Sequence, residues 1–129
     1  MHAPQSSLLT DGRRLHLHHG PIDLIIEVWG QNRADAYAAA TGRFQTILQE
    51  LVDELPMLRT KVDATTAFES PTARRMLYAV TPYAADIFVT PMAAVAGAVA
   101  DEILAAMVGA TTFDKGYVNN GGDTAFHLE

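Results

Sequence analysis

Near the C-terminus, the run Asn120-Gly121-Gly122-Asp123 separates two pieces, 117–119 and 124–128, that read as strands. Adjacent glycines between asparagine and aspartate bend the chain back on itself, so the two pieces are tied into a hairpin. Asn120-Gly121 is the strongest short hairpin signal here, because type I′ geometry needs positive φ at both central positions. Two functions fit such a turn. It can be a tight connection and nothing more. Alternatively, its glycines let a phosphate or the plane of a cofactor approach the backbone, with Asn119, Asn120 and Asp123 supplying polar contacts. It is not a Walker loop, since no lysine follows, and its glycine spacing is wrong for a dinucleotide fingerprint.

A second hairpin is expected near the start. Residues 14–18 alternate, with Leu15 and Leu17 on one face and His16 and His18 on the other, and His19-Gly20-Pro21 turns the chain into a β-branched strand over 22–29. Hairpins argue against a doubly wound α/β fold, whose parallel strands need crossovers. Between them, Asn32 or Asp35 begins a helix to about Leu55, with Tyr37, Ala40, Phe44, Ile47, Leu48, Leu51 and Leu55 at intervals of three and four. Pro56 ends that pattern. A short helix is predicted over 72–80. Thr90-Pro91 then reads as a cap followed by a first helical residue, opening a helix over 92–108 that Gly109 closes. The expected class is therefore α+β: an antiparallel sheet of 14–18, 22–29, 117–119 and 124–128 packed against two long helices near 33–55 and 91–108. Residues 1–10 are expected to be a flexible terminus.

At 129 residues the chain makes one domain with a real core. A net charge of -6 with scattered basic residues argues against a nucleic-acid surface. Without cysteine there is no disulfide, no thiolate metal site and no cysteine nucleophile. No basic-then-apolar leader opens the sequence, and Asp101-Glu102 interrupts the apolar stretch 93–110, so no membrane span and a cytoplasmic location are expected. Ser6, Ser7 and Ser70 have no nucleophile elbow around them.

Three further groupings can carry chemistry. Ala93, Ala96, Gly97 and Ala100 leave one helix face almost without bulk, open to another element or to a flat ligand. Asp101 at its edge needs solvent, a partner or a ligand, and Thr90 would aim first-turn N–H groups at an anion. His16 and His18 share a strand face across from Asp23 and Glu27, a metal-site spacing, although solvated histidines on a strand are commoner. Arg74-Arg75 suits an anion, a plain surface pair, or an ion pair to the acidic face of the first long helix.

The segments Arg74-Arg75-Met76, Thr90-Pro91-Met92-Ala93-Ala94-Val95-Ala96-Gly97-Ala98-Val99-Ala100-Asp101 and Val118-Asn119-Asn120-Gly121-Gly122-Asp123 together resemble the ApbE superfamily. These are Mg-dependent FAD:protein FMN transferases, and the likeness is strongest to a small bacterial and archaeal branch. It covers about 15–128. The transferases carry Lys-Gly-x-x-x-Asp on a helix and Asn-x-Gly-Gly-Asp after a short strand. Gly97 and Asp101 fall on the first motif; Asn119, Gly121, Gly122 and Asp123 fall on the second. Ala96 stands where the lysine would be, which removes a positive charge.

The resemblance implies that residues 1–129 form the N-terminal part of an ApbE-like, T-fold-like domain, with the catalytic histidine and further metal ligands in a second half. It implies FAD or FMN at Thr90, Gly97, Asn119, Asn120, Gly121 and Gly122, Mg²⁺ at Asp101 and Asp123, and an acceptor protein. In a complete member, the ion neutralises the FAD pyrophosphate while a protein hydroxyl attacks the FMN phosphorus and releases AMP. A half-domain with open sheet edges further implies a homo-oligomer. The alternative is a non-catalytic binding or oligomerising module.

Overall fold

The computed structural model describes residues 2–129. Five strands, Gln5–Leu8 (β1), Leu15–His19 (β2), Ile22–Trp29 (β3), Lys115–Asn120 (β4) and Asp123–Leu128 (β5), form one sheet in chain order. Every pairing is antiparallel. All the helices lie between β3 and β4: Arg33–Asp53 (α1), Leu55–Leu58 (α2), Pro71–Val80 (α3) and Val95–Ala110 (α4). The fold is α+β, with a sheet backed by two long helices, as the hairpin signals and helical periodicities require.

Period-two alternation sets which face of the sheet meets the helices. Leu17, Leu24, Ile26, Val28 and Val118 are fully buried against α1 and α4. On the opposite face His18, Asp23, Trp29, Phe126 and Leu128 are exposed. From α1 the predicted positions Tyr37, Ala40, Phe44, Ile47, Leu48 and Leu51 are buried, whereas Leu55, the last one predicted, lies beyond α1 in α2 and is half-buried; Val99, Ile103 and Met107 of α4 join the same core. Each buried Val, Leu, Ile, Phe or Met among them contributes about 1.5–3 kcal/mol relative to staying exposed. The Tyr37 hydroxyl donates to the Arg13 carbonyl and accepts from Val28 N–H at 3.3 Å, fastening α1 to β3. Burial raises its pKa above the ordinary tyrosine value.

Several boundaries differ from expectation. The N-terminal segment is not a loose tail: Gln5–Leu8 pairs with β2 as an edge strand. Its side chains are all exposed, so the alternation that reveals a half-buried strand is missing. Asn32 takes the N-cap position of α1 but makes no side-chain cap; its Nδ2 donates to the Thr112 carbonyl at 2.9 Å instead. Pro56 lies in the first turn of α2, where a missing N–H is tolerated. α3 starts one residue early because Ser70 caps it, its Oγ accepting from Ala73 N–H at 3.3 Å. The second long helix begins as a 3-10 turn over Pro91–Ala94 and becomes α-helical only at Val95, and Gly109 lies inside it. By length and composition Pro91–Ala110 is apolar enough to cross a membrane, despite its two acidic residues. In this fold it lies against α1, α3, β4 and β5.

Candidate functional site

Two motifs more than twenty residues apart meet at one end of the sheet. Asn120, the last residue of β4, donates from Nδ2 to the Ala96 carbonyl at 3.2 Å, which draws the β4–β5 turn onto α4. Asp123, the first residue of β5, reaches over Gly97, so that a Cβ there would lie 3.7 Å from Asp123 Oδ1. Gly97, Asp101 and Asp123 line a cavity of about 240 Å³ together with Arg75 and Ala79 of α3. The small-residue face of α4 is thus used on one side for close approach and on the other for an opening.

Both carboxylates are exposed, and no ion pair among the described residues involves either. Arg75 is the cation beside them, and of the alternatives left open in the sequence it takes an ion pair, made to α4 and not to the acidic face of α1. Its Nε donates to Glu102 Oε1 of α4 at 2.9 Å. The other oxygen of Glu102 accepts from Arg43 Nε at 2.8 Å, and both outer nitrogens of Arg43 bond Glu50 at 2.9 Å. Burial works to raise the Glu102 carboxyl, but hydrogen bonds from Arg43 and Arg75 outweigh it and hold it below the ordinary range. Arg74 turns elsewhere, donating from Nε to the Phe68 carbonyl at 2.9 Å. The spacing of Arg75 and Glu102 in sequence carries no signal; only the crossing of α3 and α4 joins them.

Not every predicted site residue reaches the cavity. Asn119 alternates with Asn120 and lies on the opposite sheet face, where its Nδ2 donates to Thr124 Oγ1 at 2.9 Å. Thr90 precedes the 3-10 turn, makes no side-chain cap and does not line the cavity. The turn itself is Gly121-Gly122 rather than Asn120-Gly121, because Asn120 pairs with Asp123. Only Gly121 has positive φ, 61°, which is the type II′ pattern and not type I′. Gly122 has neither positive φ nor any atom that an added Cβ would meet within 4 Å. Gly116 differs, since a Cβ there would lie 3.0 Å from Phe113 and 3.1 Å from Val28. Folding demands glycine at 116 and 121, and makes no such demand at 122.

The histidine hairpin forms no metal centre. His16 Nε2 donates to Asp23 Oδ1 at 2.7 Å, and His18 stacks on His16 with ring centres 6.1 Å apart. His19 faces the helices, where its Nε2 donates to the His2 carbonyl. Among the described residues no three metal-ligating side chains cluster. Asp101 and Asp123 nonetheless suit Mg²⁺, which takes one or two carboxylates, fills its other positions with water and phosphate oxygens, and needs no all-protein cage.

A meandering antiparallel sheet, two backing helices and a carboxylate-lined cleft beside a glycine turn define the class of domain. The chain belongs to the family described as AbpE bacteria, whose model matches residues 6–129. No curated protein and no solved structure matches it.

Proposed function

We propose that this chain binds the phosphate end of a flavin nucleotide, together with Mg²⁺, in the cleft between α4 and the β4–β5 turn. The observation that carries the proposal is the meeting of Asp123 with Gly97 and Asp101 across one cavity. Asp101 and Asp123 would hold the ion, which when bound neutralises phosphate charge. Gly121 and Gly122 do not line the cavity, but they are exposed just before Asp123 and offer backbone N–H donors beside it, and Arg75 adds a positive charge to its lining. The likeness of these motifs to those of the ApbE transferases supports flavin as the ligand class. At about 240 Å³ the cavity is smaller than the roughly 300–1,000 Å³ typical of whole small-molecule sites, so it suits phosphates and an ion, with the rings outside it.

The cleft offers two carboxylates and a guanidinium, with no histidine or hydroxyl placed as base or nucleophile. Binding is therefore the function proposed for this chain, and FMN transfer from FAD to an acceptor protein would need groups that the cleft does not contain. Titrating FAD and FMN with and without Mg²⁺ against wild type and Asp123→Asn tests it. The expected result is Mg²⁺-dependent binding that Asp123→Asn abolishes. Equal affinity of both proteins under both conditions would remove Asp123 from the site, and no binding by wild type would overturn the proposal. Release of AMP from FAD by wild type would extend it to catalysis.

The open face of the sheet favours a second reading, assembly into a homo-oligomer. Phe126 and Leu128 are each 70% exposed on β5, whose outer edge has no partner strand. Sedimentation at micromolar concentration should show a species heavier than the 13.9 kDa chain; a monomer alone would reject this.

A further inference from the structure

A larger cavity, of about 500 Å³, opens on a different face of α4 from the one that carries Asp101. It is a slot between the end of α1 and the start of the second long helix, walled by Leu51, Leu55, Met92 and Val95 and floored by the Gly20-Pro21 turn. Leu55, Met92 and Val95 are only half-buried, Met92 and Val95 with the core packed against them, so apolar surface is left uncovered. The volume falls within the range of small-molecule sites, roughly 300–1,000 Å³, and an apolar lining with few polar groups is their usual composition.

Among the described residues, Arg59 is the only charged one that lines this slot. It is exposed, and among the described residues its side chain forms no ion pair. A cation at the mouth of an apolar slot selects for a hydrocarbon body with an anionic end, and rejects an apolar cation. Met92 and the leucines are flexible enough to fit either a chain or a flat ring.

We propose that this slot binds a small amphiphilic anion, its hydrocarbon body between α1 and the start of the second long helix and its single anionic group at Arg59. The slot and the phosphate cleft share no lining residue, and Asn120 and Ala96, whose hydrogen bond holds the β4–β5 turn on α4, lie on the slot side. The probes are decanoate, 2-naphthoate, 1-decanol and decyltrimethylammonium, each titrated below its micellar concentration into the full chain and followed by amide chemical shifts. Decanoate or 2-naphthoate should saturate one site, which tells chain from ring, and the ammonium should not bind there. Arg59→Gln should weaken the bound anion by at least about tenfold, the worth of a charge-assisted hydrogen bond, while leaving decanol unchanged.

Val95→Phe fills the slot from within and should abolish binding. Val52→Phe fills it from the rim, where Val52 is 41% exposed and the fold tolerates bulk, so it decides the matter if the first variant unfolds. Asp123→Asn should leave anion binding untouched, which separates this inference from the flavin proposal. Failure of both anions to saturate, binding that survives a folded slot-filling variant, or an equal loss of anion and decanol in Arg59→Gln would each overturn it.

Discussion

Asp101 and Glu102 are neighbours on α4 with the same charge, and the fold treats them oppositely. Glu102 is 9% exposed and accepts from arginines on two other helices, so it ties α1, α3 and α4 together. Asp101 is exposed, unpaired among the described residues, and faces a cavity that Asp123 also faces. A single residue step along the helix, about 100° around its axis, thus separates a charge that serves the fold from a charge left free to serve a ligand. Side-chain type does not distinguish the two; what each one touches does.

Removing the structural charge should have the largest effect. Glu102→Ala leaves Arg75 and one edge of Arg43 without an acceptor. Breaking a fully buried pair costs about 3–5 kcal/mol, and the partial exposure of Arg75 lowers the expected loss to about 2–3 kcal/mol. Asp101→Ala should stay within about 0.5 kcal/mol, as for surface changes away from special features. Urea midpoints of the two variants check the contrast, and similar losses would break it. The pH dependence sharpens it. Because the Glu102 carboxyl is held below its ordinary range, its contribution is complete above the unfolded value of about 4.3 and is lost as pH falls through the folded value. Wild type should therefore lose stability below about pH 4.3 more steeply than Glu102→Ala does.

The same contrast runs through the glycines. Gly121 needs positive φ for its turn, so Gly121→Val should cost about 1–2 kcal/mol and also prevent flavin binding. Gly122 has no such need, so Gly122→Ala should leave the thermal midpoint within a degree or two of wild type, in line with a change below about 0.5 kcal/mol. It should still weaken ligand binding by placing a methyl group at the phosphate approach. If Gly122→Ala binds flavin as wild type does, the open backbone of the turn is not part of the site.

These particulars also show what the sequence could and could not disclose. The sheet and both long helices were legible because their apolar periods are long and their turns carry glycine. Edge strand Gln5–Leu8 was not, because none of its side chains is buried. Gly97, Asp101 and Asp123 were legible as two motifs in order, and the Asn120 bond to Ala96 is what brings the motifs together. Asn119 was misplaced because the motif treats neighbouring residues as one patch, whereas a strand sends them to opposite faces. Arg75 and its partner Glu102, on crossing helices, depend on a tertiary contact that no local pattern encodes.

Gly97→Ala tests whether a small helix face is kept for packing or for access. Alanine is preferred over glycine within a helix by about 1 kcal/mol, and the nearest atom to the added methyl is Asp123 Oδ1 at the ordinary contact distance of 3.7 Å. The variant should gain about 0.5–1 kcal/mol in stability and lose affinity for the Mg²⁺–flavin pair. A loss of stability would mean that helix and turn already pack as tightly as they can.

The smallest effect on stability, and the most telling about the site, belongs to the pair Asp101 and Asp123. Among the described residues neither has a cationic partner within ion-pair distance, and both face one cavity, so neutralising either as Asn should change unfolding by less than about 0.5 kcal/mol. If one ion sits between them, their contributions to Mg²⁺-dependent binding are coupled: once one ligand is lost the ion is gone, and losing the second adds little. A double-mutant cycle with Asp101→Asn, Asp123→Asn and the double variant, read as Mg²⁺-dependent FAD affinity, should show losses far from additive. Additive losses would assign the carboxylates to separate contacts, and a loss from Asp123→Asn alone would leave Asp101 as an exposed helix residue whose only distinction is its neighbour.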